Sequence, residues 1–247
     1  MAGYDTAGRI QNTGASALSE FGVNPQFWVR YFSPSPAADL INDSAADANA
    51  ECEGLWKYNN NSPCLGVVCA PTQSRLSGSS AEGVADAQTY GAAITFVFDN
   101  VTPLDNPANG ELYCWLDQEA STSMSDGYWS GFASTLNGSD TGAYHHYSGL
   151  YCDPPAAPPN CSVIDAYVGT SSRCYAVWSS EPEKTSYCSG GIKSAPAWAA
   201  DSCASVTTYL WQYVEQGVCG FSANVDLDEG RTGTTYGNNC FKLSANP

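Results

Sequence analysis

A chain of 247 residues is long enough for one large domain, and a hydrophobic content of 43% supports a real core. With 9 basic against 25 acidic residues and a net charge of −16, it lacks the clustered Lys and Arg that phosphate binding needs, which excludes nucleic acid as a partner. No run approaches the roughly 18 apolar residues of a bilayer-spanning helix, so no membrane span is expected.

Strand-like and helix-like segments alternate along the chain. Gly3 to Asp5 is the first short strand, and Ala15 to Phe21 a helix with Leu18 and Phe21 three apart. The β-prone run Phe27 to Phe32 follows, closed by Ser33-Pro34-Ser35-Pro36, which cannot continue it. Asp43 to Tyr58 reads as helix, with Ala48, Cys52, Leu55 and Trp56 on one face, and Leu65 to Ala70 as the third strand. Ser80 to about Asp99 repeats at helical period, although its last part, Ile94 to Phe98, reads equally well as strand. Leu112 to Asp117 is the fourth strand, Asp126 to Leu136 a helix burying Trp129 and Phe132, and Ser148 to Cys152 the fifth strand. A proline-rich loop from Pro154 to Pro159 leads to a helix near Ser162 to Val168 and a strand at Cys174 to Trp178. Tyr209 to Tyr213 and Phe221 to Asp226 bring the count to eight strands, the last two joined by a glycine-bearing turn. The polar tail from Gly230 onward is expected to be tied back through Cys240.

Eleven cysteines point to an oxidising compartment. Near pairs such as Cys64/Cys69, Cys152/Cys161 and Cys174/Cys188 are in range to staple local loops, but spacing alone leaves the connectivity open. The odd count leaves one cysteine over, either buried and free or bridging to a second chain. No Cys-x-x-Cys pair occurs, and the two histidines, His145 and His146, are adjacent, so neither a zinc site nor any cofactor is expected. The Tyr144-His145-His146-Tyr147 cluster reads as a surface turn. Sequons at Asn42, Asn60, Asn100, Asn137 and Asn160 fit a secreted protein whose cell glycosylates. Met1-Ala2 runs directly into the first strand, so the chain is read as a secreted protein without its leader.

The chemistry rests on acids. Asp117 and Glu119 are two apart at the end of a strand, which sends both side chains to one face. Two neighbouring carboxyls repel, and one of them should keep its proton to higher pH, as a general acid requires. An isolated Asp-x-Glu is usually a helix cap or half of an ion pair. Asp5 and Asp226 end two further strands, and capping does not account for acids converging from independent strands. A parallel (β/α) barrel gathers such strand-end groups at one mouth.

Gly3-Tyr4-Asp5, Leu116-Asp117-Gln118-Glu119, Gly149-Leu150-Tyr151, Ala176-Val177-Trp178 and the Trp211-Gln212-Tyr213 to Val225-Asp226-Leu227-Asp228 block occur in this order. Together they resemble the family-25 glycoside hydrolases, the Chalaropsis-type lysozymes, and more closely the glycoside-hydrolase-like barrels of unknown function in secreted bacterial proteins. Phe27-Trp28-Val29-Arg30-Tyr31 and Ala85-Asp86-Ala87 resemble the second strand and third helix of the latter group. The third strand departs from the lysozyme pattern: Val67-Val68-Cys69-Ala70-Pro71 stands where an aromatic-His-aromatic run is usual.

The resemblance implies a single (β/α)8 TIM-type barrel over residues 1–247, with 229–247 a tail packed on it, acting on N-acetylated glycan such as peptidoglycan. Glu119 would be the general acid, and Asp117 would orient the substrate's acetamido group as internal nucleophile. Asp5 and Asp226 would shape the site, while Tyr151, Trp178 and Gln212 would line the sugar. Two other readings fit the same barrel. One is a non-catalytic carbohydrate-binding module; the other is an extracellular assembly protein associating through the odd cysteine or its 15 Tyr and 7 Trp.

Overall fold

The computed structural model describes residues 2–6, 10–21, 25–32, 64–99, 104–119, 123–154, 160–180, 197–214, 225–231 and 239–243. The strands are β1 (Ala2–Thr6), β2 (Phe27–Phe32), β3 (Cys64–Cys69), β4 (Leu104–Asp105), β5 (Glu111–Asp117), β6 (His145–Cys152), β7 (Ala176–Ser180), β8 (Thr208–Val214), β9 (Asp226–Gly230) and β10 (Phe241–Leu243). Four α-helices occur among the described residues: α1 (Ile10–Phe21), α2 (Ser80–Asp99), α3 (Asp126–Asn137) and α4 (Asn160–Asp165).

β2 pairs with both β1 and β3, so the order β2-β1-β9-β8-β7-β6-β5-β3 closes on itself as an eight-stranded barrel. Seven of the strands run parallel, and β9 is antiparallel to both β8 and β1. The expected (β/α)8 TIM-type barrel is therefore overturned: β9 makes the barrel mixed, and among the described residues four α-helices accompany its eight strands. The reason is legible in chain length. Only residues 215–225 separate β8 from β9, while a parallel return needs a crossover of a dozen residues or more. A short connection reverses the chain instead.

The last strand of the closed barrel, β9, begins at Asp226, where the sequence pattern ended one, and Phe221 lies outside the described residues, as does the helix expected at 43–58. Ser80 to Asp99 is helical throughout, which settles the ambiguity at Ile94 to Phe98. Three of the Tyr-His-His-Tyr cluster, His145, His146 and Tyr147, open β6 rather than forming a surface turn, and His146 is buried with Nδ1 2.7 Å from Ser139 Oγ.

Alternation along the strands separates two apolar clusters. Outward side chains, among them Leu65, Val67, Leu112, Leu116 and Leu150, pack against Ala87, Tyr90 and Ile94 of α2 and Tyr128, Trp129 and Phe132 of α3. Inward ones, including Phe27, Val29, Val68, Tyr113, Trp115, Trp178 and Leu210, fill the lumen. At Gly149 a Cβ would lie 2.7 Å from the Trp115 ring, so only glycine leaves room for that indole.

α2 and α3 cross equally tightly. A Cβ at Gly131 would lie 2.1 Å from the Ser80 carbonyl oxygen, and one at Gly83 2.1 Å from the Tyr128 carbonyl oxygen. Both obstacles are backbone and cannot turn aside. Gly131→Ala is expected to destabilise the fold by about 3 kcal/mol, read as a lower urea midpoint; an unchanged midpoint would show that the helices can separate at little cost.

Disulfides join Cys64 to Cys240 and Cys161 to Cys203. The local pairings Cys64/Cys69 and Cys152/Cys161 are thereby excluded, and so is Cys174/Cys188, since Cys174 is free. The Cys64–Cys240 bond anchors the tail at the lumen, where the closure spans 176 residues. Cys69, Cys114, Cys152 and Cys174 are free but buried, so none of these four offers a thiol to a second chain. No helix is long and apolar enough to cross a membrane among the described residues. The side chain of Asn137 is committed internally, donating to the carbonyls of Ser171 and Arg173 and accepting from Ser148 N–H.

Candidate active site

The C-terminal ends of the parallel strands and the N-terminal end of β9 meet at one mouth. The reversed direction of β9 is what brings Asp226 there: it sits opposite Asp5 in the β1–β9 register. Gln212 on β8 joins the two, its Nε2 donating to Asp5 Oδ2 at 3.1 Å and to Asp226 Oδ2 at 3.0 Å. Its Oε1 accepts from Tyr151 Oη at 2.8 Å and Ser180 Oγ at 3.1 Å. Two donors and two acceptor positions exhaust a carboxamide. Gln212 thus holds other side chains in place and is not itself available to a ligand.

Asp228, two residues along β9, faces the same way and is fully buried. Trp178 Nε1 donates to its Oδ1 at 3.1 Å. Asp5 lies beside Asp228. Burial raises both far above the ordinary carboxylate range, and for Asp5 the charge of Asp228 adds to it. Tyr31 Oη donates to Asp5 Oδ1 at 3.3 Å.

Asp117 closes β5 and is 7% exposed, and its Oδ1 has no hydrogen-bond partner among the described residues. Burial, and then the charge of Glu119, push it up to about 7. Burial raises the phenols of Tyr31 and Tyr151, with further contributions from Asp5, Asp117 and Asp226, so these groups share one neighbourhood. Glu119 lies beyond the strand end and is exposed. Gln73, on the 3-10 turn Gln73–Ser77, clamps that segment: its Nε2 donates to the Asp117 carbonyl at 3.2 Å, and its Oε1 accepts from Glu119 N–H at 3.0 Å.

Asp5, Asp117, Glu119 and Asp226 are therefore gathered at one end, with Tyr151 and Gln212 among them. Trp178 is wholly buried, packed edge-on to Tyr151 at 4.7 Å and to Trp115 at 5.8 Å. It forms the floor beneath the mouth rather than a face on which a sugar can stack. Of the two paired acids, the inner Asp117 is the one that keeps its proton.

Four participants went unselected in the sequence. Asp228 carried a usable signal, since Asp-x-Asp on a strand puts both acids on one face. Tyr31 lay in a noted strand without a partner to mark it, and Ser180 and Gln73 carried no local signal. Among the described residues, no group of three or more His, Cys, Asp and Glu is arranged to hold a metal ion. A cleft of about 320 Å³ lined by Glu111, Asp140, Tyr144, His145 and Tyr147 lies at the opposite end of the barrel and contains none of these acids.

No family model and no curated protein matches this sequence. Two solved structures share its fold. An uncharacterized protein of B. stearothermophilus superimposes with a TM-score of 0.67 at 18% identity, over 94% of this chain and 96% of that one. The spore cortex lytic enzyme SleM of Clostridium perfringens superimposes with a TM-score of 0.50 at 15% identity, over 93% of this chain and 67% of the other. At such identities the likeness is one of fold alone.

Proposed function

We propose that this protein is a secreted glycoside hydrolase of the family-25 type, acting on N-acetylated glycan such as peptidoglycan. The observation that carries the reading is the meeting of Asp5, Asp117, Glu119 and Asp226 at one mouth, where the saturated carboxamide of Gln212 bridges Asp5 and Asp226. The fold shared with a cortex lytic enzyme supports it, as do two disulfides for secretion.

Glu119 is the general acid, protonating the leaving glycosidic oxygen from the solvent side. Asp117 accepts the acetamido N–H as the acetamido oxygen attacks the anomeric carbon, stabilising the charge that develops on the group. In the free protein burial keeps a proton on Asp117. A bound sugar reverses that preference. The acetamido N–H stabilises ionised Asp117, and the proton that Asp117 gives up passes to Glu119. Gln73 fixes the backbone between the two acids. Asp5, Asp226 and Tyr151 hold sugar hydroxyls directly or through one another.

The test is reducing-end release from purified peptidoglycan and from N-acetylated oligosaccharides. Turnover is expected, with kcat/KM falling as pH climbs above about 7, because the pair must keep one proton for the leaving oxygen and the free protein holds it on Asp117. Glycan binding without turnover at high protein concentration would replace this reading with a carbohydrate-binding module.

A further inference from the structure

The cleft at the far end of the barrel is a second hollow, which the hydrolase reading does not use. Glu111 opens β5 and Asp117 closes it, so the cleft lies about 20 Å from the mouth at roughly 3.3 Å per strand residue. Its volume of about 320 Å³ falls at the lower end of the roughly 300–1,000 Å³ usual for small-ligand sites. That suits one ring-sized unit rather than a length of chain.

The walls are fixed before a ligand arrives. His145 N–H donates to the Gly110 carbonyl at 2.8 Å, and Thr141 Oγ1 donates to the Tyr144 carbonyl at 3.1 Å, so the two flanking turns are tied down. Glu111 Oε2 accepts from Asn109 Nδ2 at 3.1 Å and from Asn239 Nδ2 at 3.2 Å. Its Oε1 makes no hydrogen bond among the described residues. Asp140 Oδ1 accepts from Gly142 N–H at 2.7 Å, while Oδ2 lies 3.5 Å from His145 Nε2. Tyr147 is the aromatic wall. Tyr175, which does not line the cleft, packs against it with ring centroids 4.1 Å apart, and the Arg173 guanidinium covers Tyr175 at 4.1 Å. The ring is thus propped from outside, and Tyr147 Oη makes no hydrogen bond among the described residues.

The open groups are of both kinds: a carboxylate oxygen that accepts, the second amide N–H of Asn109 that donates, and a phenol that does either. Hydroxyls match all three. An ammonium only donates and would leave Asn109 and Tyr147 unmatched, whereas an anion would face the carboxylates of Glu111 and Asp140. An apolar ligand would strip water from both acids and return no hydrogen bond. We propose that this cleft is a second saccharide site, in which a neutral sugar ring lies on Tyr147 and its hydroxyls bond Glu111 Oε1, Asn109 Nδ2 and Tyr147 Oη. It anchors the protein on glycan while the mouth works elsewhere on the polymer. The choice of N-acetylated glycan rests on the hydrolase reading; the geometry of the cleft does not.

The chain has two histidines, and His145 lines the cleft, so its ring signals report the site directly. The experiment is a proton NMR titration, at constant pH, of the full chain carrying Glu119→Gln, which on the hydrolase reading leaves the probe intact. The probe is a short, fully N-acetylated chito-oligosaccharide. The His145 ring signals, assigned by their absence from His145→Ala, are expected to shift saturably with a midpoint of about 1 mM or below. Tyr147→Ala should raise that midpoint about 10-fold or more by removing the stacking wall. Tyr147→Phe, which keeps the ring and its packing, should raise it about 5-fold through the loss of one hydrogen bond. Signals that stay in place at about ten times the expected midpoint overturn the site, as does a midpoint that neither Tyr147 variant moves. The two readings fail separately. Sugar release by the native protein with His145 unmoved strikes this site alone, whereas a saturable His145 shift without any release strikes the hydrolase and leaves the site standing.

Discussion

Glu119→Gln is expected to lower kcat for glycan hydrolysis by about 10²–10⁴-fold, the range for removing a general acid. In barrier terms this is about 3–5 kcal/mol. Stability should stay within about 0.5 kcal/mol of the native protein, as for surface positions in general. Glu119 is exposed, and the contact that Gln73 makes there is to its backbone N–H, which the substitution retains. A second consequence separates a lost acid from a disturbed site. The charge of Glu119 helps hold Asp117 up near 7, so its removal should move the Asp117 titration to lower pH, measurable by carboxyl carbon NMR. Hydrolysis at the native rate would reject Glu119 as the acid.

Asp117→Asn should act in two opposite directions: loss of hydrolysis, and a gain in stability at neutral and alkaline pH. Asp117 titrates near 7 in the folded protein against 3.8 for an unperturbed carboxyl. Below about pH 4 both folded and unfolded chains hold the proton, and Asp117 imposes no penalty. As pH rises towards 7 the unfolded chain releases it and the folded one does not, so stability falls. The loss reaches about 4 kcal/mol above pH 7. Asn keeps the shape and cannot ionise, so the variant should be the more stable by about that amount at pH 8, with the gap closing by pH 4. His146 works the other way. Burial lowers it from 6.5 to about 4, which costs stability as pH falls through that window. The difference between the two proteins isolates Asp117, because both carry His146. Parallel urea titrations at pH 4, 6 and 8 decide the matter, and a gap that does not widen with pH would mean that Asp117 is solvated.

Sequence period found the elements better than it found their direction. The apolar runs around Val29, Val67, Leu116, Leu150, Val177 and Trp211 all became barrel strands, because alternation and β-branching are local properties that one chain segment carries by itself. The orientation of the last strand is not local. The Val225-Asp226-Leu227-Asp228 pattern reads the same in either sense, and what turns it antiparallel is the short connection after Val214 together with the vacancy between β8 and β1 that only closure of the barrel defines.

The acids divide in the same way. Asp5, Asp117 and Glu119 stood out because acid at the end of an apolar strand is unusual, and that is a matter of composition. Which of the paired acids keeps its proton was not legible, since the answer depends on Asp117 being covered and Glu119 exposed. The same holds for Trp178, an aromatic at a strand end in the sequence and a buried floor bonded to Asp228 in the barrel. The distant bond from Cys64 to Cys240 and the four contacts of Gln212 likewise join strands far apart in the chain. Residue type and spacing by themselves determined that this protein has a strand-rich core, no charge suited to nucleic acid and acids set at strand ends. Tertiary structure alone decided the direction of β9, the pairing of the cysteines and the protonation of the mouth, because each depends on groups that meet only when the barrel closes and excludes water between them.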